Sequence, residues 1–244
     1  FSTMHLWFLF NLLLFCFSLW GIAKTQLFNT LWLSTFVSRG VMVFIFPLFM
    51  VPALLTQPAP LPAPERMYPE LWSFGYYGLL FFMGVLLFKK QSILIHLRNW
   101  TLPMLLASVA LYLVYYSFIP ESLNIEDLMT EESSPYFSLL NLTKAALEAY
   151  LAVWMSLVCI VLSQRLLDRQ NRVLAYISRS SYWIYIMHLP VLFWVQLILL
   201  DYQLHFLIEF CISVIATLMI GIVSYQLFVA NTIVGRLLNG APKP

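Results

Sequence analysis

Near the C-terminal end of the chain, Ser181, Tyr185 and His188 recur at i, i+4 and i+7 within a strongly apolar segment. A helix stacks that spacing on one face, so three polar tips line up. The segment runs Ser181-Tyr182-Trp183-Ile184-Tyr185-Ile186-Met187-His188-Leu189-Pro190 and on to Leu200, with Gln196 as its only other strongly polar residue. An imidazole inside a membrane-length span is expensive and marks function by default. Its chemistry there is that of a proton shuttle or an acyl-acceptor contact. The competing reading is a histidine hydrogen-bonded to a neighbouring helix, bracing the bundle. A helix begun at Ser181 rises about 1.5 Å per residue and carries His188 roughly 10 Å along, towards the membrane middle. Pro190 lacks a backbone donor and presses on the carbonyl of Ile186, which predicts a kink beside the histidine.

Other polar side chains are fewer. His5 and Trp7 open the first apolar run, where an indole suits the membrane interface. Asn11 lies on a different face from His5 and reads as a helix–helix hydrogen bond. Arg39, near the end of a span, either snorkels to headgroups or grips an anionic donor. Lys144 and Glu148 stand four apart and predict a local ion pair. Glu209 reads as interfacial. No Gly-rich phosphate loop, HExxH, GxSxG or CxxC pattern is present.

These residues need membrane-spanning helices to position them. The chain is 61% hydrophobic, 17% aromatic and only 10% charged, which excludes an ordinary soluble domain. Its long apolar runs do not alternate as barrel strands would. The reading is an all-α polytopic bundle of about seven spans: Leu6–Ala23, Val37–Leu55, Leu71–Phe88, Thr101–Ile119, Ala145–Ser163, Ser181–Leu200 and Phe206–Ala230. The second carries Pro47 and Pro52 and reads as kinked or re-entrant. Lys89, Lys90 and Arg98, then Arg165, Arg169, Arg172 and Arg179, then Arg236 and Lys243 fall on one side, which the positive-inside rule assigns to the cytoplasm. Glu121, Glu126, Asp127, Glu131 and Glu132 fall on the other. The C-terminus is therefore expected to be cytoplasmic.

Smaller features complete this reading. Six prolines from Pro52 to Pro69 make an extended loop. Arg165–Ile177 is amphipathic and predicts a helix lying in the interface. Cys16, Cys159 and Cys211 sit in apolar runs and read as buried small hydrophobes, with neither a disulfide framework nor a metal site. A net charge of +2 with its basic residues in loops gives no nucleic-acid signal. The apolar run close behind Phe1 lacks a basic n-region and a cleavage site, so it is no signal peptide. Residues 1–244 read as one membrane domain, a C-terminal portion of a longer protein.

Three stretches carry a resemblance. His5-Leu6-Trp7-Phe8-Leu9 matches an HLWFL-type helix start. Tyr68 to Lys90, with Phe74-Gly75-Tyr76-Tyr77 and Met83-Gly84-Val85-Leu86-Leu87, is an aromatic, glycine-spaced helix. Ser180 to Pro190 follows an SYxIYxxHxP pattern, and Ser224-Tyr225 and Ile233 to Gly240 follow behind it. Together they resemble the C-terminal two-thirds of an integral-membrane acyltransferase of the acyltransferase 3 family, most similar to its glucan-biosynthesis protein C branch.

The resemblance implies a multi-pass enzyme of the bacterial inner membrane that moves an acetyl- or succinyl-type acyl group onto a carbohydrate hydroxyl. The acceptor it implies is a periplasmic glucan, and the donor is acyl-CoA, with no permanently bound cofactor. The family's usual catalytic histidine and arginines would lie upstream of Phe1. His5, Tyr185 and His188 then become supporting catalytic residues, with His188 relaying a proton or donating to the oxyanion. Tyr182 or Tyr185 would donate a hydroxyl, Trp7 would stack on a sugar, and Ser181 and Arg39 would contact substrate. Two other classes stay open: a transporter or flippase, whose proline-kinked helix and His188 line a path, and a non-catalytic membrane scaffold.

Overall fold

Backbone in lipid has no water to bond, so apolar runs without internal breakers close all their hydrogen bonds as helices. The computed structural model describes residues 3–25, 38–57, 63–119, 138–168, 171–233 and 235, and the elements among them are helical. They comprise α1 (Met4–Lys24), a short α2 (Val41–Leu54), α3 (Leu71–Lys89), α4 (Ser92–Ser117), α5 (Leu139–Leu166), α6 (Arg172–Tyr202) and α7 (Phe206–Phe228). All but α2 are long and apolar enough to cross a membrane. The expected seven spans thus become six among the described residues, with a broken helix in place of the second. Position 37, prolines 58, 60 and 62, the acids of the fourth loop and Arg169, Arg236 and Lys243 lie outside the described residues. The chain divides into two compact units, Phe1–Asp168 and Arg169–Pro244.

Prolines explain α2. It starts as a π-helical turn at Val41–Ile45, tightens to a 3-10 turn at Phe46–Phe49, and becomes α-helical only at Val51–Leu54. Pro47 has no N–H to offer the carbonyl of Val43, four residues back. The indole N–H of Trp154 in α5 donates to that carbonyl at 2.8 Å, and the Tyr150 hydroxyl donates to the Phe44 carbonyl at 2.7 Å. A neighbouring helix thus satisfies what the break leaves open.

Small residues on a four-residue repeat pack the rest of the first unit. In α5 the buried positions include Ala145, Ala149, Val153, Leu157 and Val161, a stripe that lets the helices beside it approach closely. On α3, a Cβ at Gly75 would fall 2.5 Å from the Ala53 side chain of α2, so only glycine permits this approach. Asn11 of α1 accepts from the Ser73 hydroxyl of α3 at 2.7 Å and donates to the Trp7 carbonyl at 2.9 Å. The expected helix–helix role of Asn11 is what the structure shows.

In the second unit, α7 repeats the device with buried Ser213, Thr217, Gly221 and Tyr225. Ile184 of α6 packs on Gly221, where a Cβ would come within 3.2 Å of it. Trp183 donates to the Ser224 hydroxyl at 3.0 Å, and the Tyr176 hydroxyl donates to Gln226 at 2.8 Å.

Three expectations are corrected here. The separate interfacial helix over Arg165–Ile177 is absent: α5 holds its turn up to Leu166, and α6 starts at Arg172, capped by the Asn171 side chain on the Val173 N–H. Lys144 and Glu148 form no ion pair, because the carboxyl is turned towards Tyr115 of α4 instead. All three cysteines are exposed rather than buried, since an apolar residue facing lipid satisfies the same composition as one facing the core.

Candidate active site

In the second unit, α6 is continuous from Arg172 to Leu199 and carries Pro190 inside it. His188 therefore stands about 24 Å from the first residue of the helix and about 16 Å from Leu199, in its central stretch. The Tyr185 and His188 rings lie 5.3 Å apart, tilted by 36°. The Nδ1 of His188 contacts the Tyr185 carbonyl one turn back. A carbonyl only accepts, so Nδ1 is the donor of this contact. The Ser181 hydroxyl donates to the Ser178 carbonyl at 2.7 Å, which turns it back on its own helix. Tyr182 is exposed. Of the expected triple face, Tyr185 and His188 lie ring against ring, and Ser181 bonds its own helix.

The first unit has two polar ends. At one, Arg39 lines a cavity of about 420 Å³ together with Ser38, Lys90, Ser92 and His96. Its guanidinium lies 5.5 Å from the centre of the Trp100 ring, a cation–π contact that orients the head group. A second, apolar cavity of about 130 Å³ shares Arg39 and is walled by Val43, Phe44, Leu97 and Met104. His96 holds its Nδ1 on the Ser92 carbonyl at 2.6 Å. Arg165 reaches the Arg98 carbonyl at the same end. Arg39, Lys90 and His96 thus stand round one cavity that adjoins a more apolar one.

At the other end, His5 is half-buried on the 3-10 turn Met4–Leu6 that opens α1. Trp7 is no isolated interfacial anchor. Its ring lies 5.1 Å from that of Tyr77, which in turn lies 4.8 Å from Tyr76 and 6.1 Å from Trp72. The carboxyl of Glu148 acts electrostatically on Tyr76, Tyr77 and Tyr115, and the Tyr115 hydroxyl is 3.5 Å from its Oε2. Sequence reading missed this cluster. The signal available was the Tyr76-Tyr77 doublet, together with an acid flanked by the buried Ala145 and Ala149.

A family model described as an acyltransferase domain, of the acyltransferase 3 type, matches residues 1–226. The chain belongs to the acyltransferase 3 family. It is a membrane acyltransferase built of long apolar helices. No curated protein and no solved structure matches it. Acyl transfer needs a group to take the acceptor's proton, donors for the developing oxyanion, and a hold on the donor's leaving group.

Proposed function

We propose that this acyltransferase moves an acetyl- or succinyl-type group from acyl-CoA to a hydroxyl of a carbohydrate, in the branch of the family that modifies periplasmic glucans. The observation that carries the reading is the cavity of Arg39, Lys90 and His96 with its apolar annex. Coenzyme A is a polyphosphate with a long flexible arm, and a basic pocket beside an apolar slot complements both parts. Lys89, Lys90, Arg98 and Arg165 mark that end as cytoplasmic under the positive-inside rule, where acyl-CoA is found. On this reading the protein sits in a bacterial inner membrane with its C-terminus inside.

In the reaction the acceptor oxygen bonds to the acyl carbon, the carbon–sulfur bond breaks, and the acceptor's proton passes to the leaving thiolate. His188 supports that proton transfer, and Tyr185 donates to the oxyanion. His5, Tyr182 and Ser181 take lesser parts in holding the substrates.

Mass analysis of periplasmic glucan from cells carrying the full gene, its deletion or His188→Ala tests this. Deletion should remove the ester substituents and leave glucan export unchanged. His188→Ala, at normal expression, should cut esterification by about 10²-fold, the usual range for one acid–base group. Normal esterification in that variant removes His188 from the chemistry. Intact esters with impaired export on deletion would favour transport instead.

A further inference from the structure

Glu148 is a carboxyl within a membrane-spanning helix, a placement that is costly unless something uses it. The usual structural uses are an ion pair or a full set of hydrogen bonds. Neither is present. Lys144, one turn away, makes no ion pair with it. Its one hydrogen-bond contact among the described residues is the Tyr115 hydroxyl, 3.5 Å from Oε2, at the far limit of a bond.

Its surroundings say what would use it. Trp7, Trp72 and Tyr77 supply a continuous aromatic wall, with ring centres 5.1 and 6.1 Å apart. Tyr76 and Tyr115 add phenol hydroxyls, which both donate and accept. Aromatic faces take up the C–H face of a pyranose ring, while a carboxylate accepts its hydroxyl protons. Both are half-apolar, half-polar surfaces, and they match. A quaternary ammonium also fits rings and a carboxylate, but it has nothing to accept from the tyrosine hydroxyls. Lys89, Lys90, Arg98 and Arg165 lie at the far end of the same unit, so the cluster faces away from the donor cavity.

We propose that Trp7, Tyr77, Tyr115 and Glu148 form a carbohydrate subsite in which the Glu148 carboxylate accepts hydrogen bonds from the acceptor sugar. This rests on the reading of a carbohydrate acceptor given above. Glu148 and Tyr115 act there as binding residues, and Trp7 as the stacking platform.

The test uses the full protein in lipid nanodiscs, with a β-linked glucose tetrasaccharide as probe, titrated calorimetrically. Acetyl-CoA thiol release is measured on the same samples. Wild type should bind the tetrasaccharide. Glu148→Gln should weaken that binding by about tenfold and Tyr115→Phe by about threefold, with unchanged thermal unfolding. Arg39→Ala should bind the sugar as wild type does. Equal sugar affinity in Glu148→Gln and wild type overturns the subsite. So does a wild type that binds tetramethylammonium and not the sugar, or that binds neither. Sugar binding that depends on Glu148 in a protein that releases no thiol supports the subsite and removes the acyl-transfer reading. Tyr115→Phe removes one hydroxyl and keeps the ring, so it reports even if Glu148→Gln fails to fold.

Discussion

The two ends of the first unit hold charge in opposite ways. At the Arg39 end, cationic side chains surround an open cavity, and the guanidinium is steadied by the face of Trp100. At the Glu148 end, one carboxyl meets the Tyr115 hydroxyl, and the same end of the unit carries the Trp7 and Tyr77 rings. Arginine and lysine reach water on long stems, so a basic cluster at a helix end needs little protein to hold it. A glutamate within a span has no such escape, and the rings and hydroxyls round it must replace the solvent. On the proposed reading, one end suits the charged leaving group and the other the carbohydrate acceptor.

That contrast can be broken most sharply by reversing charge at the basic end. Arg39→Glu should raise the acyl-CoA KM by roughly a hundredfold, since charge-assisted hydrogen bonds are worth about 1.5–3 kcal/mol and a repulsion replaces one. Tetrasaccharide affinity should not move, and steady-state kinetics alongside calorimetry would show whether the two ends are separable. A smaller effect is expected from Trp154→Phe, which leaves the Val43 carbonyl without its donor. It should cost about 1–3 kcal/mol of stability, read as a lowered unfolding midpoint in detergent. Because Arg39 stands just before α2 and Ala53 near its other end packs on Gly75, both ligands should then weaken together. The smallest effect is that of salt. Going from about 0.05 to about 0.5 M should weaken acyl-CoA binding severalfold while leaving sugar binding flat, because screening acts on exposed charges. Equal salt dependence at both ends would erase the distinction.

Much of the fold was legible in the residues. Six of the seven expected spans appear as helices because a run of apolar side chains in lipid has one way to satisfy its backbone. Pro47 and Pro52 announced that the second run would be irregular, and it is. The N-terminal end of α6 was misplaced by nine residues: Arg165–Ile177 was read as a separate interfacial helix, yet Asn171 caps α6 and the helix starts at Arg172. The site was harder to read. Tyr185 and His188 share a turn, so their spacing revealed them. Glu148 was assigned to Lys144 because an i, i+4 pair is the information a sequence carries locally. Its actual neighbour, Tyr115, comes from another helix 33 residues earlier, and no local pattern contains that distance. The cysteines failed for a different reason: lipid and protein interior are equally apolar, so hydropathy cannot tell an outward face from an inward one.

The Trp154–Val43 bond also bears on the order in which the chain is laid into a membrane. As it leaves the ribosome, α2 has two carbonyls, of Val43 and Phe44, that its own backbone cannot satisfy, and the side chains that satisfy them arrive about a hundred residues later. In hydrocarbon each open carbonyl costs several kcal/mol. Until α5 is present, α2 is therefore better off at the wet surface of the bilayer than within it. Its insertion waits on the synthesis of α5, a delayed docking against a finished helix.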